Sequence, residues 1–438
     1  MEGHADLYRY TSQADLEEQF KNVEQTLIGP KDLYEFYRSL AFLIAQIKCG
    51  HTEILLPSEI QKKISTITPL LPFRFRVLNS QLYVFRDLSS DKDGLAGWEI
   101  LSINGIPSSK ILATFRKLTP GDGDIETGRT WTLNNDWYMN RYAEPFLGIE
   151  SPFHIVVQHP GSHSTRTVFV KGIRLPEINR RWHEGFPGDQ LPENSADLSF
   201  SKDRKIAILR VRSFEGDADS TKTKLDEFFR QAFEGIRENG TDQLILDLRN
   251  NPGGQDDFGS DLVSYLLQKP FQYYEDIRMR ALHFQFEKYT SQPLEYPPNL
   301  MTRGSDGWFH ATGHPSWGVQ ANKEPGFGGK LFVLMNGGSF STTSEAIAQL
   351  HFHRRAIFIG EETGGAYYGN NSGFMPMVIL PHSKIQLMLP VTAYYTAVKG
   401  NSNRSRGVFP DYAIEYTIQD LLDGKDKEME LAMHLASK

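Results

Sequence analysis

The sequence holds a single cysteine, Cys49, in 438 residues. That excludes a disulfide within the chain and a cysteine-built metal cluster, and it leaves the redox compartment open. No apolar run approaches the roughly 18 residues of a membrane-spanning helix. Lysine and arginine form no long block and the formal net charge is −7, so nucleic acid is not an expected partner. The first residues, Met1-Glu2-Gly3-His4-Ala5-Asp6, are polar and lack the apolar stretch of a signal peptide. What is present is ordinary globular composition, 39% hydrophobic and 23% charged. That is too apolar for wholesale disorder, and the length fits two or three domains.

Hydrophobic spacing divides the chain. Leu16, Phe20, Val23 and Leu27 recur at helical intervals up to Gly29-Pro30, and a second apolar stripe runs from Leu33 to Ile47. Residues 1–69 therefore read as a helical segment built on a hairpin. Residues 70–172 read as a β-rich module. Its strand-like runs are 73–77 and 82–85, then 97–107 with an Asn104-Gly105 turn, then a closing hairpin from 153–157 and 167–170. A helical pattern through Ile111, Leu112 and Phe115 interrupts it, and the polar, glycine-rich 119–140 reads as a loop. Residues 173–200, with Pro176, Pro187 and Pro192, read as a linker. From 201 to 438 strands alternate with helices, which predicts βαβ crossovers and a largely parallel sheet. The fold class expected is α/β plus β. The aromatic stretch 270–327 reads as core and loop packing or as an insertion walling a cleft.

Two stretches in the last region carry chemistry. The apolar run 331–335 breaks at Asn336-Gly337-Gly338 and presents Ser339-Phe340-Ser341-Thr342-Thr343-Ser344 before a helical pattern. A hydroxyl at that point meets unpaired N–H groups and the positive end of a helix dipole, which favour developing negative charge. Serine and threonine also cap helices there, so capping is the plain alternative. The second stretch, Asp247-Leu248-Arg249-Asn250-Asn251-Pro252-Gly253-Gly254, ends an apolar strand in paired glycines. Such glycines let backbone N–H groups approach a ligand.

These stretches, followed by Gly360-Glu361-Glu362-Thr363-Gly364-Gly365, together resemble the C-terminal processing peptidases, or tail-specific proteases, and the related tricorn core. The resemblance implies a ClpP/crotonase-like α/β catalytic domain with Ser341 as nucleophile. The amides of Thr342 and of Gly253 or Gly254 would then bind the oxyanion. The branch nearest the tricorn core uses a histidine base after an N-terminal helical segment, which His51 matches within Cys49-Gly50-His51-Thr52. The other branch uses a lysine where Ala366 stands here, and alanine cannot take a proton; Lys384 and Lys399 are the fallback bases. The tricorn core also has a glutamate shortly before the turn matched by Gly407-Val408-Phe409-Pro410-Asp411. Here Asn403-Arg404-Ser405-Arg406 holds no acid, so Glu361 and Asp411 are the orienting acids that chemistry offers. Residues 97–107 resemble part of a PDZ domain, in either a peptide-binding or a structural role.

The implied activity is that of a serine endopeptidase cleaving polypeptides through an acyl-enzyme, without metal or organic cofactor. The implied location is periplasmic or otherwise extracytoplasmic after removal of a leader, with the cytoplasm left open. Oligomeric state is unassigned. Two other readings are a hydrolase of non-protein esters or amides and an inert peptide- or ligand-binding protein on the same fold. His351 and His353 have ligand spacing but no companion acid or cysteine, so a metal is not expected there. Asp91-Lys92-Asp93-Gly94 reads as a turn rather than a calcium loop.

Overall fold

The computed structural model describes residues 3–89, 94–135, 137–189, 192, 194–215, 225–292, 300–400 and 404–438. The turn expected at Asp91 to Asp93 lies outside the described residues. Among the described residues no helix is long and apolar enough to cross a membrane. The chain is a mixed α/β protein whose largest C-terminal element is a six-stranded sheet. Its strand order is Tyr412–Ala413, Ile357–Gly360, Lys330–Met335, Gln243–Asp247, Ile206–Val211 and Ala196–Phe200. Neighbours run parallel except at the Ala196–Phe200 edge.

Both faces of this sheet are covered, which is why its strands read as unbroken apolar runs. Alternate residues go to opposite sides. Leu331, Val333 and Met335 join Leu244, Leu246 and the helices Leu225–Glu238, Asp256–Leu266 and Thr342–Phe352 in one core. Phe332 and Leu334 pack with Ile245, Ile359 and the final helix Lys427–Ala436 in the other. The register sets Asp247 beside Leu334. The turns that follow these two central strands therefore emerge side by side at the carboxyl edge, where ligands bind in parallel α/β sheets.

The aromatic stretch forms part of a second, antiparallel sheet. Tyr274–Met279 pairs with Thr392–Thr396 and with Phe309–Ala311, and Tyr273, Tyr274 and Tyr394 are buried in the same core as Leu331, Val333 and Met335.

The N-terminal half is built on an antiparallel sheet ordered Phe73–Leu78, Gln81–Asp87, Glu99–Ile103, Phe153–Gln158, Thr165–Val170. Asn104 and Gly105 turn with φ of 48° and 79°, as a two-residue hairpin turn requires. The helices Gln13–Thr26 and Leu33–Gln46 start at side-chain caps, Ser12 on Asp15 and an Asp32/Glu35 capping box. Leu16, Tyr37, Ala41 and Ile44 of these helices share one continuous core with this sheet. One segment leaves that half: Glu53–Leu55 pairs antiparallel with Gln386–Met388.

Two sequence expectations are corrected. The 173–200 linker contains a helix, Leu175–Gly185, and the edge strand Ala196–Phe200. Pro176 sits in the helix's first turn, where a missing N–H does no harm, and Ile178 is fully buried. The loop expected at 119–140 contains the helix Glu126–Asn134 and the start of Tyr138–Leu147. Its polar look misleads because Arg129 is buried, donating to the carbonyls of Gly123 (2.9 Å) and Ile125 (3.1 Å).

Candidate active site

Ser341 stands between the strand Lys330–Met335 and the helix Thr342–Phe352 with φ 54° and ψ −131°. A non-glycine residue in that region is strained, and such strain gathers at functional sites. Although Ser341 is the N-cap residue, its side chain makes no capping bond. Its Oγ lies 3.1 Å from His51 Nε2.

The neighbouring hydroxyls are structural. Ser339 Oγ donates to the Leu248 carbonyl (2.8 Å) and accepts from the Asn336 amide (3.1 Å). Ser344 Oγ donates to the Ser339 carbonyl (2.7 Å) and accepts from the Gly365 amide (3.1 Å). Asn336 Oδ1 accepts from Gly338 (3.0 Å) and from Asn250 (2.9 Å), which ties the serine turn to the turn carrying the paired glycines. The cluster thus holds the backbone around one hydroxyl that faces the His51 imidazole.

Gly253 abuts the serine directly. A Cβ added to it would lie 2.7 Å from Ser341 Cβ and 3.1 Å from the Thr342 nitrogen. Its φ of 105° also suits glycine. Its own amide donates to Asn251 Oδ1 at 2.9 Å. The amides of Gly254 and Thr342 have no acceptor among the described residues.

His51 lies between the helix Leu33–Gln46 and the strand Glu53–Leu55. The Glu53–Leu55 pairing with Gln386–Met388 pins it to the catalytic half. A hydrogen bond between His4 Nε2 and Thr52 Oγ1 (3.0 Å) braces the next residue. The imidazole stacks on Phe340 with ring centroids 4.5 Å apart. Burial pushes its pKa down to about 4, so the ring is neutral and able to accept a proton near pH 7. Its Nδ1 is buried with no hydrogen-bond partner among the described residues.

The acids expected from sequence are placed elsewhere. Asp411 accepts from the Phe358 amide (2.8 Å) beside the outer strand. Glu361 lies near Gly337 and Glu428, and burial raises its carboxyl. Neither is hydrogen-bonded to His51. Before the Gly407–Asp411 turn, Arg406 pairs with buried Glu362 (2.8 Å), so a cation stands where an acid was sought. Lys384 and Lys399 are exposed, and Ala366 is buried.

Two acids near the serine carry no local sequence pattern. Glu345, in the first turn of the serine helix, receives Tyr274 Oη at 2.5 Å and Asn370 Nδ2 at 2.8 Å. Burial, with Asp256 nearby, pushes its carboxyl up to about 8. Asp122 accepts from the Gly50 amide (2.8 Å), and burial pushes it up to about 6. A ring nitrogen of His51, Cys49 Sγ and an Asp122 oxygen lie within 4.8 Å of one another. These are the residues able to gather round a cation, and such a cation would occupy the base. His351 instead faces Tyr367 Oη at 3.4 Å.

Residues 205–414 match the model of peptidase family S41. A carboxyl-terminal-processing protease of Picosynechococcus sp. is 22% identical over 426 residues, covering 93% of this chain and 81% of that protein. The chain is a serine-type peptidase. A carboxy-terminal-processing protease of Bartonella bacilliformis is 31% identical over 111 residues, 25% of this peptidase and 24% of that one. Among solved structures, mature CPAF superposes with a TM-score of 0.60 at 16% identity, covering 96% of the peptidase and 90% of CPAF. That likeness is one of fold.

Proposed function

We propose that this endopeptidase cleaves polypeptides by acylation of Ser341, with His51 as general base. His51 Nε2 takes the hydroxyl proton as Ser341 Oγ attacks the scissile carbonyl carbon. The Thr342 amide and the Gly253–Gly254 turn hold the oxyanion, with Gly254 the donor because the Gly253 amide already serves Asn251. The imidazolium then protonates the leaving amine. Water, deprotonated by the same nitrogen, releases the acyl group. The observation that carries the reading is the 3.1 Å approach of His51 Nε2 to a strained serine that caps nothing. Inert binding gives no reason for that pairing.

The finer assignments belong to the same reading. Residues 70–172 form a PDZ-like module beside a ClpP/crotonase-like catalytic domain that starts near 201. The working compartment is extracytoplasmic. Substrates are extended or partly unfolded chains, since an added strand needs an accessible backbone.

The test is fluorophosphonate labelling with peptide mapping, run on the native chain, Ser341→Ala and His51→Ala, beside turnover of matched peptide and ester substrates. Label at Ser341 that is lost in both variants, with peptide turnover, is the expected result. A folded native sample that takes no label and turns over neither substrate would sink it.

A further inference from the structure

A histidine base needs its second nitrogen held, or the ring samples the wrong tautomer and turns away from the nucleophile. We propose that Asp122 is the acid that orients His51, its Oδ2 accepting the Nδ1–H so that bare Nε2 faces Ser341. This deepens the Ser341–His51 reading and rests on it.

Two unmatched groups support the pairing. His51 Nδ1 and Asp122 Oδ2 are both buried, and both lack a hydrogen-bond partner among the described residues. Buried polar atoms are rarely left so, and here the ring nitrogen is able to donate and the carboxylate oxygen to accept. A ring nitrogen of His51 and a carboxylate oxygen of Asp122 lie within 4.8 Å of each other. With Nε2 turned to Ser341, Nδ1 is the nitrogen left for the carboxylate. The two are not hydrogen-bonded in this structure, and the pairing requires them to close on each other, as catalytic hydrogen bonds that are long before substrate binds do.

The carboxylate is fixed from its own side. Asp122 Oδ1 accepts from Gly50, the residue before the base (2.8 Å). The Gly123 amide donates to the Lys48 carbonyl (2.9 Å), and Lys48 pairs with Asp124 (2.6 Å). The Asp124 amide donates to the Ser405 carbonyl (2.8 Å). The 121–124 loop is thus stitched both to the segment bearing His51 and to the segment before the Gly407–Asp411 turn. The rival acid Glu345 already accepts from Tyr274 and Asn370.

The charge of Asp122 is set by its surroundings. Burial raises its pKa, while the Gly50 and Ala366 backbone, Arg9 and Arg129 favour the anion. Tyr10 and Cys49 face it as well, and each is held neutral by burial. In the transition state the anion stabilises the imidazolium; no proton need pass to it.

The test uses Asp122→Asn in the full chain. The amide oxygen keeps the Gly50 bond, but the amide NH₂ can only donate to Nδ1 and so selects the wrong tautomer. We expect kcat to fall by about 10²- to 10⁴-fold with KM little changed, as for loss of an orienting acid. The acid limb of the kcat–pH profile should move to lower pH, because an anion that raises the pKa of His51 is gone. The thermal midpoint should stay close to that of the native chain. A merely structural role predicts a changed midpoint and an unmoved pH limb. If Asp122→Asn keeps kcat within about threefold of native while Ser341→Ala is inert, the proposal fails and the Ser341–His51 reading stands. If Ser341→Ala stays active, both fail. Should Asp122→Asn not fold, the native phosphonate adduct decides. With ¹⁵N-labelled histidine, a far-downfield Nδ1–H signal assigned to His51 supports the pairing, and its absence overturns it.

Discussion

The two sides of the proposed catalytic centre are built by different physics. On the nucleophile side, Ser341, Thr342 and the Gly253–Gly254 turn follow adjacent parallel strands and are tied by turn-scale bonds between neighbouring loops, with Trp131 Nε1 reaching in to Asn250 Oδ1 at 2.9 Å. On the other side, Gly50, next to His51, and Asp122 are 72 residues apart, and their segments are joined by the Gly50–Asp122 bond and a few loop contacts. Ser341 and its proposed base, His51, are 290 residues apart in sequence. A nucleophile set by local backbone geometry is hard to misplace. A base brought in by tertiary packing can be lost without unfolding anything.

The largest expected effect falls on the nucleophile side. Ser341→Ala should lower kcat by about 10⁴-fold or more, as removal of a triad serine does. Thermal stability should be unchanged, because the side chain makes no capping bond. Gly253→Ala comes next. Its Cβ would meet Ser341 Cβ at 2.7 Å and the Phe340 carbonyl oxygen at 3.0 Å, at φ 105°. Displacing the serine and the oxyanion turn should lower kcat/KM by about 10²-fold or more. Near-native kinetics would show that this side is less rigid than the comparison holds.

The base side should respond more gradually. Arg129→Met removes the guanidinium that holds the Gly123 and Ile125 carbonyls. Unmet buried carbonyls cost about 1–3 kcal/mol of stability, measurable by urea unfolding. The loosened 121–124 loop should lower kcat by roughly tenfold, while Ser341 stays in place for phosphonate labelling. Equal loss of labelling and turnover would erase the distinction between the sides.

The smallest effect is on the pH dependence of stability. His51 is lowered from 6.5 to about 4 by burial. Its neutral form therefore contributes stability above pH 6.5 that is lost as pH falls toward 4. Asp122 is raised from 3.8 to about 6. Its contribution is present below 3.8 and lost as pH rises through 6, so the two oppose each other. His51→Ala should flatten the fall in unfolding free energy between pH 6.5 and 4, measured by urea titration at the two ends. An unchanged slope would mean that His51 does not stay neutral in the folded chain.

The same division marks what could be read in the sequence. Residues 331–335 and 244–248 announce central strands because both sheet faces are covered, and the asparagine–glycine breaks announce their turns. Ser341 was therefore visible. His51 was reached only through its resemblance to a family pattern, since a lone histidine past a helix end has no distinguishing local signal. Asp122 was passed over inside a glycine-rich stretch read as loop. The one available hint was an acid set between Gly121 and Gly123, where the chain can come close to other backbone. Gly123 does so, an added Cβ lying 2.3 Å from the Ser405 carbonyl oxygen. The 173–200 stretch was misread because three prolines outweighed a short amphipathic helix and an edge strand.

By itself, then, the sequence determined the parallel sheet, the serine turn and the glycine pair. These depend on hydrophobic period and on backbone sterics over a few residues. Only the tertiary structure decided that His51 faces that serine and that Asp122 lies beside His51. Their positions follow from docking Glu53–Leu55 onto Gln386–Met388 and from the bond between Gly50 and Asp122. Contacts across such separations depend on how whole elements pack, and no local pattern encodes that.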